Sequence, residues 1–162
     1  MEYFDIVDEN DNVVAQASRE EVYDKKHPHR IAHVFGFDKN GNMALQLRNA
    51  SRSFCPLHWI PVASGHVSRG ESFEQAALRE MQEEVGKVTD IEPLSKDVYV
   101  KPDDGHIKIL GSFKAILEPP FNFDTEEVEA IEYFTLDEVK RMIAGDDKIH
   151  PEFEFLFKKH YA

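Results

Sequence analysis

The sequence contains a single cysteine, Cys55, in 162 residues. An intramolecular disulfide is therefore excluded, and such sparse use fits a reducing compartment. Positive charge is also scarce. Nineteen Lys and Arg stand against 31 Asp and Glu, a net charge of −12 with histidine neutral. That balance argues against nucleic acid or an anionic membrane as the main partner. It would also repel a polyphosphate unless cations neutralise the binding site. No apolar run approaches the ~18 residues of a membrane span, and the N-terminus, MEYFDIVDEND, lacks a basic-then-apolar signal pattern. There is no internal repeat, low-complexity segment or linker that would separate domains. The expectation is one cytoplasmic domain over residues 1–162, with a homodimer left open.

What is present suffices for a core: 41% apolar residues, including twelve Phe and five Tyr, which excludes a disordered chain. Residues 4–7 and 13–17 around the Glu9–Asn12 turn read as a hairpin, and Ser18 with Glu21 as the capped start of a short helix ending near Lys26. This N-terminal unit occupies about residues 1–28. Strands are expected at 31–37, 42–48 and 59–62, an extended segment at 88–99, and strands at 107–117 and 130–134. Thr135 with Glu138 caps a helix that Gly145 closes, and a last helix covers 151–160. This mixture predicts an α/β sandwich with a mixed sheet.

The most informative stretch is GHVSRGESFEQAALREMQEEVG, residues 65–86. Ser72 and Gln75 form a capping box, so a helix starts just after Gly70. On that helix Glu80, Glu83 and Glu84 share one face within an arc of roughly 100°. Leu78, Met81 and Val85 form the stripe expected to be buried. Three like charges on one face want a cation. Oxygen-only ligands favour Mg²⁺ or Mn²⁺, which take one or two carboxylates, waters and substrate phosphates. Most acidic helix faces are merely solvated, so the composition alone does not make a site.

The whole stretch, however, resembles the signature of the Nudix hydrolase family, G-x5-E-x7-R-E-U-x-E-E-x-G-U, with U a bulky apolar residue. Gly65, Glu71, Arg79, Glu80, Met81, Glu83, Glu84 and Gly86 fall on its fixed positions. Lys87 departs, standing where an apolar residue is usual, with Val88 expected to take over its packing. The resemblance implies a Nudix-type α/β/α sandwich with the box at 65–87. It further implies metal-dependent cleavage of a diphosphate linkage in a small nucleoside diphosphate-type substrate. Glu80, Glu83 and Glu84 would be metal ligands, joined by the Gly65 carbonyl, with Glu80 alternatively the general base. Arg79 and Glu71 would support them, and Gly65 and Gly86 read as turn and helix-end positions. Such enzymes often recruit a further acid from a later loop, for which Glu126 and Glu127 are candidates. Arg48 and Trp59, flanking the polar loop 49–58, are candidate substrate contacts. The aromatic rings of Phe54 and Trp59 could stack a base or belong to the core.

The N-terminal half is also similar to one branch of the family, the proteins related to isopentenyl diphosphate isomerase. The similarity is carried by Phe4–Glu9, His29-Arg30 and Gly65-His66. The isomerases place a cysteine immediately before that Gly-His pair; here it is Ser64, a much weaker acid. The expected chemistry is hydrolysis, with an isomerase and a non-catalytic nucleotide-binding module as alternatives. His66 reads as a hydrogen-bonded loop histidine or an extra metal ligand. His27, His29 and His33 lack the pattern of a zinc site, and Cys55 reads as a small buried apolar residue.

Overall fold

The computed structural model describes residues 1–162. The N-terminal hairpin forms as expected, β1 (Tyr3–Val7) pairing antiparallel with β2 (Val13–Ser18) in a small sheet of its own. Its turn is held by Asp8, whose carboxylate accepts the backbone N–H groups of Asn10 and Asn12 at 2.9 Å. Ser18 then caps α1 (Arg19–Asp24), accepting from the Glu21 N–H. Phe4, Ile6, Ala17 and Val22 bury a small core beneath this unit.

The main sheet has seven strands, with β5 (Trp59–Pro61), β4 (Met43–Arg48), β3 (His29–Phe37), β8 (Ile107–Ile116) and β7 (Glu92–Val100) in spatial order. β6 (Ala63–His66) adds to β3 and β9 (Val128–Phe134) to β4. β3 and β8 run parallel from His29↔Lys108 to Phe37↔Ile116, while every other pair is antiparallel. The sheet is therefore mixed, and the fold is α/β. The expected single strand at 59–62 is two strands on different neighbours. The extended segment after the box helix starts pairing at Glu92, and residues 88–91 lie outside any strand.

Alternation along β3 assigns the two faces. Ala32 and Val34 point into one core with Val62, Phe113 and Leu117, closed by α2 (Phe73–Val85). Ile31 and Phe35 point into the other with Leu45 and Leu110, closed by α3 (Leu136–Ala144) and α4 (Pro151–His160) through Val139, Phe153, Leu156 and Phe157. One edge of β3 is shared by two partners: Ile31–Val34 pair with β6, whereas only Gly36 and Phe37 pair with β4. Where β4 leaves β3 the sheet splits. Gln46 spans the split, donating to the Val62 carbonyl at 3.0 Å and to Glu84 on α2 at 3.1 Å.

On α2 both halves of the capping box form. The buried stripe differs from expectation. It comprises Ala76, Ala77, Met81 and Val85, with Leu78 only partly covered, because the helix lies on β6 with its alanines inward. Val88 does not replace the missing apolar residue of the box; it is 47% exposed. Lys87 instead brings its ammonium group over the Phe121 ring, 5.7 Å from the centroid, and donates to the Glu118 carbonyl. Gly86 ends the helix in the left-handed region at φ 74. No helix is long and apolar enough to cross a membrane.

Candidate active site

The split in the sheet opens onto a cavity of about 930 Å³ whose wall includes Gly65, Arg79, Glu80, Glu83, Glu84 and Glu127. The three carboxylates share one helix face but not one environment. Glu84 is 4% exposed: one oxygen, Oε1, accepts the Ser64 N–H at 2.9 Å and the Gln46 amide, while Oε2 has no protein partner. The Glu80 side chain is 13% exposed and that of Glu83 54%. Burial raises the pKa of both Glu80 and Glu84. The Arg79 guanidinium opposes this at Glu80, and the neighbouring Glu80 charge adds to it at Glu84.

Gly65 is placed differently from the expectation of a turn. It lies within β6 opposite Ala32, with ordinary backbone geometry, and its role is space. A Cβ there would sit 2.3 Å from the Glu80 carboxyl carbon and Oε1, so only glycine lets that carboxylate pack against the strand. Arg79 is the organiser beneath. It binds Glu71 through two parallel contacts of 2.9 Å, donates to Glu80 Oε1 at 2.6 Å and to the His66 carbonyl at 3.0 Å, and reaches Glu83 at 3.7 Å. Glu71 also accepts the Ser68 N–H. The Glu71 contacts raise the Arg79 pKa further still and hold that of Glu71 low, so the pair is permanently ionic.

Glu127 faces this cluster closely enough for its charge to disfavour ionisation of both Glu80 and Glu84, and it pairs with Arg52 at 3.4 Å. Glu126 does not line the cavity. Arg48 does, but Trp59 is not brought to it: the indole packs edge-on against Phe134 at 5.2 Å, beside the second core. Phe54, from the same loop, reaches the cavity instead. His66 sits in β6 rather than a loop, stacked on Phe4 and hydrogen-bonded to the Tyr23 hydroxyl at 2.5 Å. Cys55 is half-buried, its thiol pKa raised by burial, and does not line the cavity.

Sequence reasoning missed the far side of the cavity. There Glu152, at the start of α4, is buried between Lys108 and His33, each at 3.0 Å, and His150 caps the same helix. A signal existed in the alternation His29-x-Ile31-x-His33 within an apolar strand, which puts two polar rings on one sheet face. Nothing local in the sequence announces that Glu152 arrives from 119 residues away.

No three His, Cys, Asp or Glu side chains are already gathered as a finished metal cage. The donor set nevertheless fits a hard divalent cation. It is all oxygen, buried Glu84 stands beside the largely covered Glu80, and Glu84 keeps an unpartnered oxygen.

A family model described as the NUDIX domain matches residues 9–153. The chain belongs to the NUDIX family. A curated relative named as an uncharacterized Nudix hydrolase of Yersinia pestis is 29% identical over 140 residues, covering 86% of this chain and 76% of that protein. An isopentenyl-diphosphate delta-isomerase of Photorhabdus laumondii is 33% identical over 94 residues, 58% of this chain and 53% of the isomerase. In fold, this Nudix chain is similar to the crystal structure of DR0079 from Deinococcus radiodurans, with a TM-score of 0.85 at 22% identity over 99% of this chain and 100% of that one.

Proposed function

We propose that this Nudix pyrophosphohydrolase cleaves, with Mg²⁺ or Mn²⁺, a diphosphate linkage in a small nucleoside diphosphate-type substrate. The observation that carries the reading is a pair of neighbouring carboxylates in the cavity wall, Glu80 largely covered and packed against Gly65, and Glu84 buried and bonded to Ser64 and Gln46. Buried like charges of this kind are stable only when protonated or neutralised by a cation. Glu84, Glu80 and Glu83 would hold the cation, with the Gly65 carbonyl beside them. A bound divalent ion supplies charge neutralisation on the non-bridging oxygens and a more acidic water. The chain's own residues set the geometry. Ser64 and Gln46 fix one Glu84 oxygen and leave the other free. Arg79, braced by Glu71, holds Glu80 on one bearing. Glu80 or Glu127 accepts the proton of the attacking water, and Arg48, on the cavity wall, is the candidate contact for substrate oxygens.

Hydrolysis in ¹⁸O-labelled water, across a panel of nucleoside diphosphate derivatives with Mg²⁺ or Mn²⁺, should place label in one of the two phosphate products. A panel in which no diphosphate is cleaved sinks the reading. The isomerase alternative is favoured by the 33% identity to an isomerase and opposed by the site. Ser64 stands where the isomerases have cysteine, and its backbone N–H is given to Glu84. The only thiol, on Cys55, does not line the cavity. Cys55→Ser should therefore keep most of the hydrolysis, measured as monophosphate release. Interconversion of isopentenyl and dimethylallyl diphosphates with no phosphate release would establish the isomerase instead.

A further inference from the structure

The side of the cavity facing α2 carries carboxylates; the opposite side carries hydrogen-bond donors grouped around Phe54. The Lys108 and Lys101 ammonium groups each lie 5.9 Å from the Phe54 ring centroid, and the His150 ring meets it edge-on at 5.4 Å. Arg48 donates its Nε to the Phe54 carbonyl at 2.9 Å. These four side chains come from β8, the β7–β8 turn, the α4 N-cap and β4, and all line the cavity.

Their hydrogen-bonding capacity is left over in one sense only. Lys108 is 5% exposed and makes one hydrogen bond, to Glu152 Oε2 at 3.0 Å, so two of its three N–H groups are unused. His150 is 8% exposed, and its Nδ1 accepts the Glu152 N–H as the helix cap at 3.2 Å. That bond fixes the tautomer: Nδ1 carries the lone pair, Nε2 carries the proton, and Nε2 has no protein partner. Burial holds the His150 pKa down to about 4, so the ring is a neutral donor at physiological pH. Arg48 forms no ion pair. Burial and the neighbouring Arg52 charge lower its pKa, opposed by the charges of Glu84 and Glu127. Lys101 has only loose carboxylates, Asp103 and Asp104, at 3.8 and 3.9 Å. The buried carboxylate on this side, Glu152, is taken by Lys108 and His33.

We propose that Lys108, His150, Arg48 and Lys101 form a second subsite around Phe54, which receives a phosphomonoester carried by the substrate away from its scissile diphosphate. Donors converging from four separate elements suit the three terminal oxygens of a tetrahedral dianion better than a planar carboxylate, which Arg48 alone would satisfy. On a protein of net charge −12 such a donor cluster is a selective feature rather than background. Because it rests on the diphosphate hydrolase reading, the inference narrows the substrate class to diphosphates bearing an additional phosphate.

Two measurements test it, and only one needs turnover. Matched substrates differing by a single phosphomonoester, NADPH against NADH and coenzyme A against dephospho-coenzyme A, are compared by kcat/KM with Mg²⁺ or Mn²⁺. The phosphorylated member of at least one pair should be preferred by about tenfold or more, expressed in KM, a difference of about 1.4 kcal/mol. His150→Asn keeps a capping side chain but removes the Nε2 donor, and Lys101→Met alters a less buried residue. Either should bring the preference towards one, and the ratio is internal to each protein. In the second measurement, inorganic phosphate is titrated into the metal-free protein in chelator while the His150 imidazole resonances are followed by NMR. Saturable shifts are expected, and Lys101→Met should weaken them. Unmoved His150 resonances, or turnover that ignores the phosphomonoester in both pairs, overturn the subsite while leaving hydrolysis intact. A preference that follows the base instead, and survives both variants, would assign Phe54 to base stacking and also overturn it. If no diphosphate is cleaved, the hydrolase reading fails and the phosphate titration alone decides the subsite.

Discussion

At the scale of single residues, the candidate site depends on side-chain volume as much as on charge. Gly65→Ala adds one methyl, yet that carbon would land 2.3 Å from the Glu80 carboxyl, and the strand cannot retreat because it is paired with β3. Glu80 must swing away. Turnover should fall by about tenfold or more, as when a charge-stabilising group is misplaced, while circular dichroism reports an intact fold. Full activity in Gly65→Ala would remove the argument for a packed Glu80. Glu84→Gln and Glu83→Gln should each cut turnover by about tenfold to a thousandfold. Their stabilities should diverge. Glu84 is buried with a raised pKa, so its neutral replacement should raise the Tm of the metal-free protein, whereas exposed Glu83 should change stability by less than about 0.5 kcal/mol. Equal Tm shifts in the two variants would mean that Glu84 carries no burial penalty.

At the scale of elements, α2 is the part whose boundaries matter most, since its register decides which glutamates face the cavity. Its start was readable from Ser72 and Gln75, and its end from Gly86. The severity of that end was not. Gly86 is left-handed at φ 74, and a Cβ would lie 2.0 Å from the Asn122 carbonyl oxygen, while Asn122 donates its own N–H to the Val85 carbonyl at 3.0 Å. The helix terminus is thus docked on the loop that leads towards Glu127. Gly86→Ala should cost more than the roughly 1–2 kcal/mol of left-handed strain alone, read as a drop in denaturation midpoint. A cost of a few tenths would show that the loop moves freely. Met81→Ala, in the adjoining core, should cost about 2–5 kcal/mol.

At the scale of the whole molecule, the second core joins the cavity through a set of buried histidines. Burial holds His29 and His150 at pKa values of about 4, below the ordinary 6.5. At these two rings the unfolded chain binds more protons than the folded one between about pH 6.5 and 4, so their contribution to stability falls as pH falls through that window, while the raised carboxyls of Glu80 and Glu84 act in the opposite sense in the metal-free protein. Glu152 adds to the loss at the acidic end. Burial alone would raise its pKa, but His33 and Lys108 hold it well below the carboxylate range, so its contribution is present above about pH 4.5 and disappears as pH drops further. In chelator, the Tm of His29→Gln should gain on that of the unaltered protein as pH falls from 6.5 to 4. If the difference in Tm between His29→Gln and the unaltered protein were independent of pH across this range, the burial assigned to His29 would be contradicted.

The sequence by itself determined the family, the α/β class and almost every element, because these rest on local information. Capping boxes at Ser72 and Thr135, a left-handed glycine at 86 and the fixed offsets Glu80, Glu83 and Glu84 are all set within a few residues. Tertiary structure decided everything that depends on what lies opposite. The offsets put three glutamates on one face, but only the split of β3 between β4 and β6 buried Glu84 and left Glu83 in solvent. Trp59 and Phe54 were equivalent as aromatic residues of one loop until pairing of β5 with β4 turned the indole towards Phe134 and left Phe54 at the cavity. Glu152, Lys108 and His33 meet from three distant segments. A buried charge has no local signature, because its stability comes from partners that only the folded chain supplies.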